Sequence, residues 1–134
     1  MLRTYHGSCH CGAVTFEADL DLAAGTARCN CTFCLKSRAW TAFVQPSAFQ
    51  ITRGAETVVA YRRHAEAPVK FHCPTCAIQT HSTGDADYMD GPFVGIFVST
   101  LDDATPEELA AAPIRYSDGR HDNWRNAPAL TAYL

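Results

Sequence analysis

The stretch Arg28-Cys29-Asn30-Cys31-Thr32-Phe33-Cys34-Leu35-Lys36 puts three cysteines into six residues. Two smaller groups flank it: Cys9-His10-Cys11-Gly12 upstream and Cys73-Pro74-Thr75-Cys76 downstream. Together they hold all seven cysteines of a 134-residue chain. Thiolate is a soft ligand that suits zinc, and spacings of one or two residues let a tight turn aim two sulfurs at one ion. These groups therefore read as metal ligands. A closed structural site takes four ligands, so the seven cysteines divide into four plus three. Two partitions satisfy the spacing. One joins Cys9, Cys11, Cys73 and Cys76 and leaves Cys29, Cys31 and Cys34. The other joins Cys31 and Cys34 to Cys73 and Cys76 and leaves Cys9, Cys11 and Cys29. In both, the remaining three ligands keep a position open for water or substrate, the feature that separates catalytic from structural zinc. His6, His10, His72 and His81 are sequence-near candidates for a fourth ligand, although a hydrogen-bonded or solvent-facing role is the plainer reading of each.

Composition fits this picture. Residues 1–134 are expected to form one zinc-binding domain, with 47% hydrophobic and 19% charged residues. No apolar run approaches the roughly 20 residues of a membrane helix. Met1-Leu2-Arg3-Thr4-Tyr5-His6 lacks the basic and then apolar pattern of a secretion signal. The expected compartment is the cytoplasm, where thiols stay reduced and metal binding is favoured over a disulfide framework. A net charge of −3 argues against nucleic acid as a partner. Arg62-Arg63-His64 reads as a polar turn after a strand.

The patterning is mainly β. Val14, Phe16 and Ala18 alternate with Thr15, Glu17 and Asp19 along a strand over 13–19. Further strands are expected over 41–44, 57–62, 69–73, 78–82, 93–100 and 114–117. One short helix is marked by Thr105 at the N-cap, Pro106 at the first helical position and Glu108 at the third, and Pro113 closes it. Pro46-Ser47-Ala48-Phe49 suggests another single turn.

Four segments, "GSCHCGAVTFE" at 7–17, "RCNCTFCLKS" at 28–37, "FHCPTCAIQTH" at 71–81 and "YSDGRHDNW" at 116–124, resemble the glutathione-dependent formaldehyde-activating enzyme family, which includes centromere protein V-like domains. "IFVSTLDD" at 96–103 is similar as well. The resemblance implies a small β-tent of antiparallel sheets tied by a structural zinc, with one or two short helices. It implies that Cys9, Cys11, Cys73 and Cys76 hold that zinc, and that Cys29, Cys31 and Cys34 hold a second, catalytic and possibly labile one. It also implies carbon–sulfur lyase chemistry on a small thiol such as glutathione. The family often carries His where this chain has Asn30, and Gly where it has Ala77. Ala is poor where the backbone needs φ > 0, so a different turn after Cys76 is expected.

A zinc with three thiolates is a weak Lewis acid suited to a soft incoming thiol, which it deprotonates and keeps nucleophilic. Glutathione carries carboxylates, so Lys36 and Arg38, directly after Cys34, are candidate anchors beside the reading of solvated loop charges. Arg120, His121, Asp122, Asn123 and Trp124 form a dense polar cluster that suits either a structural turn or a site wall. Two other functions fit the same cysteines: a non-catalytic zinc scaffold, and a redox or thiol-binding module in which the triple forms a disulfide.

Overall fold

Val14, Phe16 and Ala18 are buried to within 1% exposure, so the alternation around them marks a core-facing strand. In the computed structural model, which describes residues 1–134, that strand is β2 (Thr15–Leu20). It lies between β1 (Arg3–Ser8) and β5 (Phe49–Arg53) in a three-stranded antiparallel sheet. The other strands are β3 (Thr26–Cys29), β4 (Thr41–Val44), β6 (Val59–Tyr61), β7 (Val69–His72), β8 (Gln79–Ala86), β9 (Gly91–Phe97) and β10 (Ile114–Ser117). They form a seven-stranded sheet in the order β10-β3-β4-β9-β8-β7-β6. Two short helices complete the fold, α1 (Thr32–Ser37) and α2 (Pro106–Ala111). The chain is therefore mainly β. No helix is long and apolar enough to cross a membrane.

The sheets meet face to face. Tyr5, Phe16, Ala18 and Leu20 of the smaller one pack with Ala42, Val94 and Ile96 of the larger one, and with Val98 just beyond it. Each fully buried side chain of the size of Phe16 or Ile96 stabilises the fold by about 1.5–3 kcal/mol. A separate cluster joins Val14 to Cys9 and Cys73.

Several elements differ from expectation. The large sheet is not antiparallel throughout: β10 runs parallel to β3, with Ile114 opposite Thr26 and Ser117 opposite Cys29. β9 stops at Phe97, because the chain turns into a 3-10 turn at Val98–Thr100 while the Val98 N–H donates to the Trp40 carbonyl (2.8 Å). β8 runs past Ser82 to Ala86, pairing with β9 down to Gly91. The interior Gly84 is accommodated there because the Phe93 ring covers it: an added Cβ would fall 2.5 Å from that ring.

α2 forms as its capping signals predict. The Glu108 N–H donates to Thr105 Oγ1 (3.1 Å), and the Thr105 N–H donates to Glu108 Oε2 (2.8 Å). Arg3 Nε and Nη2 also donate to the Glu108 carboxylate (3.2 and 3.0 Å), and Tyr5 Oη donates at 2.9 Å. Arg3, the Thr105 N–H and Tyr5 together hold Glu108 down to about 2.

This architecture gathers the cysteines. Cys9 and Cys11 follow β1, and Cys73 and Cys76 follow β7, so the ends of the two sheets come together there. Cys29 ends β3 and Cys31 starts α1, beside the end of β10.

Candidate metal centres

The sulfurs of Cys9, Cys11, Cys73 and Cys76 all lie within 4.8 Å of one another. Cys9 and Cys11 Sγ are 3.7 Å apart, and Cys11 and Cys73 Sγ are 3.6 Å apart. A disulfide would need about 2.05 Å. Four sulfurs about 2.3 Å from a tetrahedral zinc would be about 3.8 Å apart, so these spacings fit a metal. Backbone N–H groups point at the sulfurs, as thiolates require: Val14 N–H donates to Cys9 Sγ (3.3 Å) and Thr75 N–H to Cys73 Sγ (3.4 Å). The Ile78 N–H, followed by that of Cys11, lowers Cys76 to about 6.

The turn after Cys76 does not change in the way the missing glycine suggests. Ala77 itself takes φ +62°, and its N–H donates to the Cys73 carbonyl (2.9 Å). The left-handed residue is kept at a cost of about 1–2 kcal/mol for its Cβ.

The Cys29, Cys31 and Cys34 sulfurs form the second group, also within 4.8 Å. Cys31 is the N-cap of α1, and its Sγ accepts from the Cys34 N–H (3.4 Å). Cys29 Sγ accepts from the Cys31 N–H (3.3 Å). Hydrogen bonds from the Cys29 and Cys34 thiols hold Cys31 far below the ordinary thiol range. Contacts with Cys29 first, then with Cys31, push Cys34 up. One thiolate between two thiols, fed by backbone donors, is a donor set that fits a soft cation.

No histidine or carboxylate joins either group. His6 Nδ1 is 2.9 Å from Asp103, and its Nε2 is 3.5 Å from Glu17. His81 is buried between Phe71 and Phe49, with 4.7 Å between ring centroids on each side. His10 is exposed and His72 half-buried in β7.

Asn30 ties the triple to the C-terminal segment. It is 3% exposed. Its Nδ2 donates to Asp118 Oδ1 (2.7 Å), its Oδ1 accepts from the Arg120 N–H (3.0 Å), and its carbonyl accepts from Arg120 Nε (3.2 Å). Because Ser117 pairs with Cys29, Gly119 falls against the triple: an added Cβ would lie 2.6 Å from Cys29 Sγ and 2.4 Å from the Trp124 ring. Trp124 stacks on Tyr88 (6.2 Å, 4°) instead of packing in the core, and its Nε1 donates to Asp122 (2.7 Å). The polar cluster at 120–124 thus belongs to one wall of the triple. His121, exposed, bonds back to Asp118 (2.9 Å).

β6 and β7 reach α1, the helix that carries Cys34. Tyr61 stacks on Phe33 of α1 (6.0 Å, 16°), and Lys70 Nζ lies 5.1 Å from the same ring centroid. The sequence gives no local sign of these contacts, since they depend on how the 59–72 hairpin docks. Arg62-Arg63-His64 leads from β6 into the hairpin turn at 64–67, and Arg63 Nη1 reaches Thr32 Oγ1 (3.4 Å). Of the two cations singled out from sequence, Lys36 is exposed and Arg38 is spent on the Tyr133 carbonyl (2.8 Å).

The space lined by Cys29, Cys34, Arg28 and Leu35 is only about 10 Å³, room for one water. A concavity of about 530 Å³ lies toward the other end of β3, lined by Thr26, Ala27, Phe43, Ile114 and Arg115 among others, and it contains no cysteine.

The fold and the two groups define a class: mainly β proteins with cysteine clusters that could each hold a metal ion. The chain belongs to the glutathione-dependent formaldehyde-activating enzyme family, whose model matches residues 4–117. It is also similar to the crystal structure of a Rhodobacter sphaeroides protein, with 32% sequence identity and a TM-score of 0.68 over 82% of this chain and 99% of that one. Membership implies chemistry related to glutathione-dependent activation of formaldehyde.

Proposed function

We propose that residues 1–134 act as one zinc-binding domain with carbon–sulfur lyase activity on a small thiol, glutathione in the first place. The reading rests on one observation: a group of three sulfurs within 4.8 Å, with no fourth protein ligand, in a chain of this family. Cys9, Cys11, Cys73 and Cys76 would hold a structural zinc; Cys29, Cys31 and Cys34 would hold a second. The second, with fewer protein ligands, would be the more labile of the two. The thiols must be reduced for either, which fits the cytoplasm.

The second zinc, when bound, supplies the positive charge that lets an incoming thiol lose its proton and remain nucleophilic near neutral pH. The chain does the rest. The Cys31 N–H donates to Cys29 Sγ and the Cys34 N–H to Cys31 Sγ, which fixes both sulfurs in place. Asn30 fixes the Asp118–Arg120 segment against the triple, so Gly119 and Trp124 wall one side. In the forward direction a carbon–sulfur bond forms between the thiol sulfur and the formaldehyde carbon. The C=O π pair takes a proton, and the net product is S-hydroxymethylglutathione. The reverse step breaks the carbon–sulfur bond and returns both.

Exchange NMR on mixtures of glutathione and formaldehyde tests this. The zinc-loaded protein is expected to accelerate exchange between free glutathione and its adduct, and Cys31→Ser is expected to abolish the acceleration. Failure of millimolar glutathione to perturb the zinc-loaded protein's spectrum would contradict the reading and favour a scaffold role.

A further inference from the structure

The cations around the triple are unequally free. Arg28 lies over the Trp40 ring (5.3 Å), Arg38 donates to the Tyr133 carbonyl, Arg120 to the Asn30 carbonyl and Arg63 to Thr32. Lys70 has neither a hydrogen bond nor an ion pair; its ammonium rests only on the Phe33 ring at 5.1 Å. Phe33 lies between Thr32 and Cys34 in the helix that Cys31 caps. Tyr61, directly opposite Lys70 across β6 and β7, stacks on the same ring. Opposed residues of an antiparallel pair share a face, so Lys70 and Tyr61 both address α1. A cation over an aromatic face at this distance is attracted to it yet keeps its hydrogen-bond donors for another partner. Lys70 is thus half-buried and unpaired, over the side chain of the residue that precedes Cys34 in α1.

We propose that Lys70 is a specificity-determining residue that pairs with a carboxylate of the bound thiol, while Phe33 and Tyr61 form the apolar floor between that carboxylate and the triple. The site then selects anionic peptide thiols over uncharged ones. This rests on the thiol reading above and adds to it the chemical class of the thiol and the group that reads it.

Calorimetric titration of the zinc-loaded full chain with glutathione and with its diethyl ester tests the proposal. Wild type is expected to bind glutathione at least about tenfold more tightly than the ester, the scale of one charge-assisted hydrogen bond. Lys70→Met should remove that preference by weakening glutathione about tenfold and leaving the ester unchanged, and Lys70→Arg should restore most of it. Lys36→Met should leave the preference intact. Equal wild-type affinity for acid and ester would overturn the proposal without recourse to any variant. So would a Lys70→Met that weakens both ligands alike, or a loss of preference in Lys36→Met instead. If wild type binds neither ligand, the thiol reading fails and this proposal with it; if it binds both alike, only the Lys70 assignment fails.

Discussion

Gly119 is held by two neighbours that leave no room for a methyl group, Cys29 Sγ at 2.6 Å and the Trp124 ring at 2.4 Å from an added Cβ. Gly119→Ala must therefore push Cys29 or Trp124 aside. We expect it to weaken metal binding at the triple by about 10–100-fold, the usual scale for groups that support a ligand, and to leave the four-cysteine site unaffected. Competition with a zinc chelator would read the two sites separately. His81 gives a second residue-scale expectation. Burial lowers it to about 4, so it stays neutral in the folded state while the unfolded chain takes up a proton below about 6.5. Between those values the unfolded state binds more protons, and stability falls as pH falls, by up to about 1.4 kcal/mol per pH unit. His81→Phe should remove that slope, seen as a smaller shift of the urea midpoint between pH 6.5 and 4.5 than in wild type. Equal shifts in both proteins would refute it.

At the scale of elements, what could be read from sequence follows from how local each signal is. α2 was legible because Thr105, Pro106 and Glu108 make their capping contacts within one turn. Thr105→Ala should destabilise the fold by about 0.5–2 kcal/mol, measurable by denaturant titration. β4 and β10 were legible as short apolar or alternating runs. α1 was not, because its six residues, Thr32–Ser37, are too few to show a helical apolar periodicity. β1 hid because only Tyr5 and Gly7 are buried in it. β3 buries the small residues Thr26 and Ala27, which give little hydrophobic contrast. The parallel pairing of β10 with β3 is a tertiary fact that leaves no mark on either segment. It nevertheless sets Gly119 beside Cys29, just as the β6–β7 hairpin sets Lys70 and Tyr61 beside Phe33. The sulfur groups were therefore readable from spacing and resemblance, and the 120–124 cluster was open to a reading as a site wall, while the contacts of β6 and β7 with α1 were not readable.

For the whole molecule, the two cysteine groups have different standing. Cys9 and Cys73 are buried and share a hydrophobic cluster with Val14, joining the ends of the two sheets. Cys29, Cys31 and Cys34 are half-buried at the margin of the larger sheet. Loss of metal at the first should loosen the fold; loss at the second should leave it standing. The triple is expected to hold its own metal. Zinc per folded chain, by elemental analysis of wild type and Cys31→Ser purified without chelator, tests this. About two zincs are expected for wild type and about one for the folded variant. About one zinc in both would show that the triple holds none.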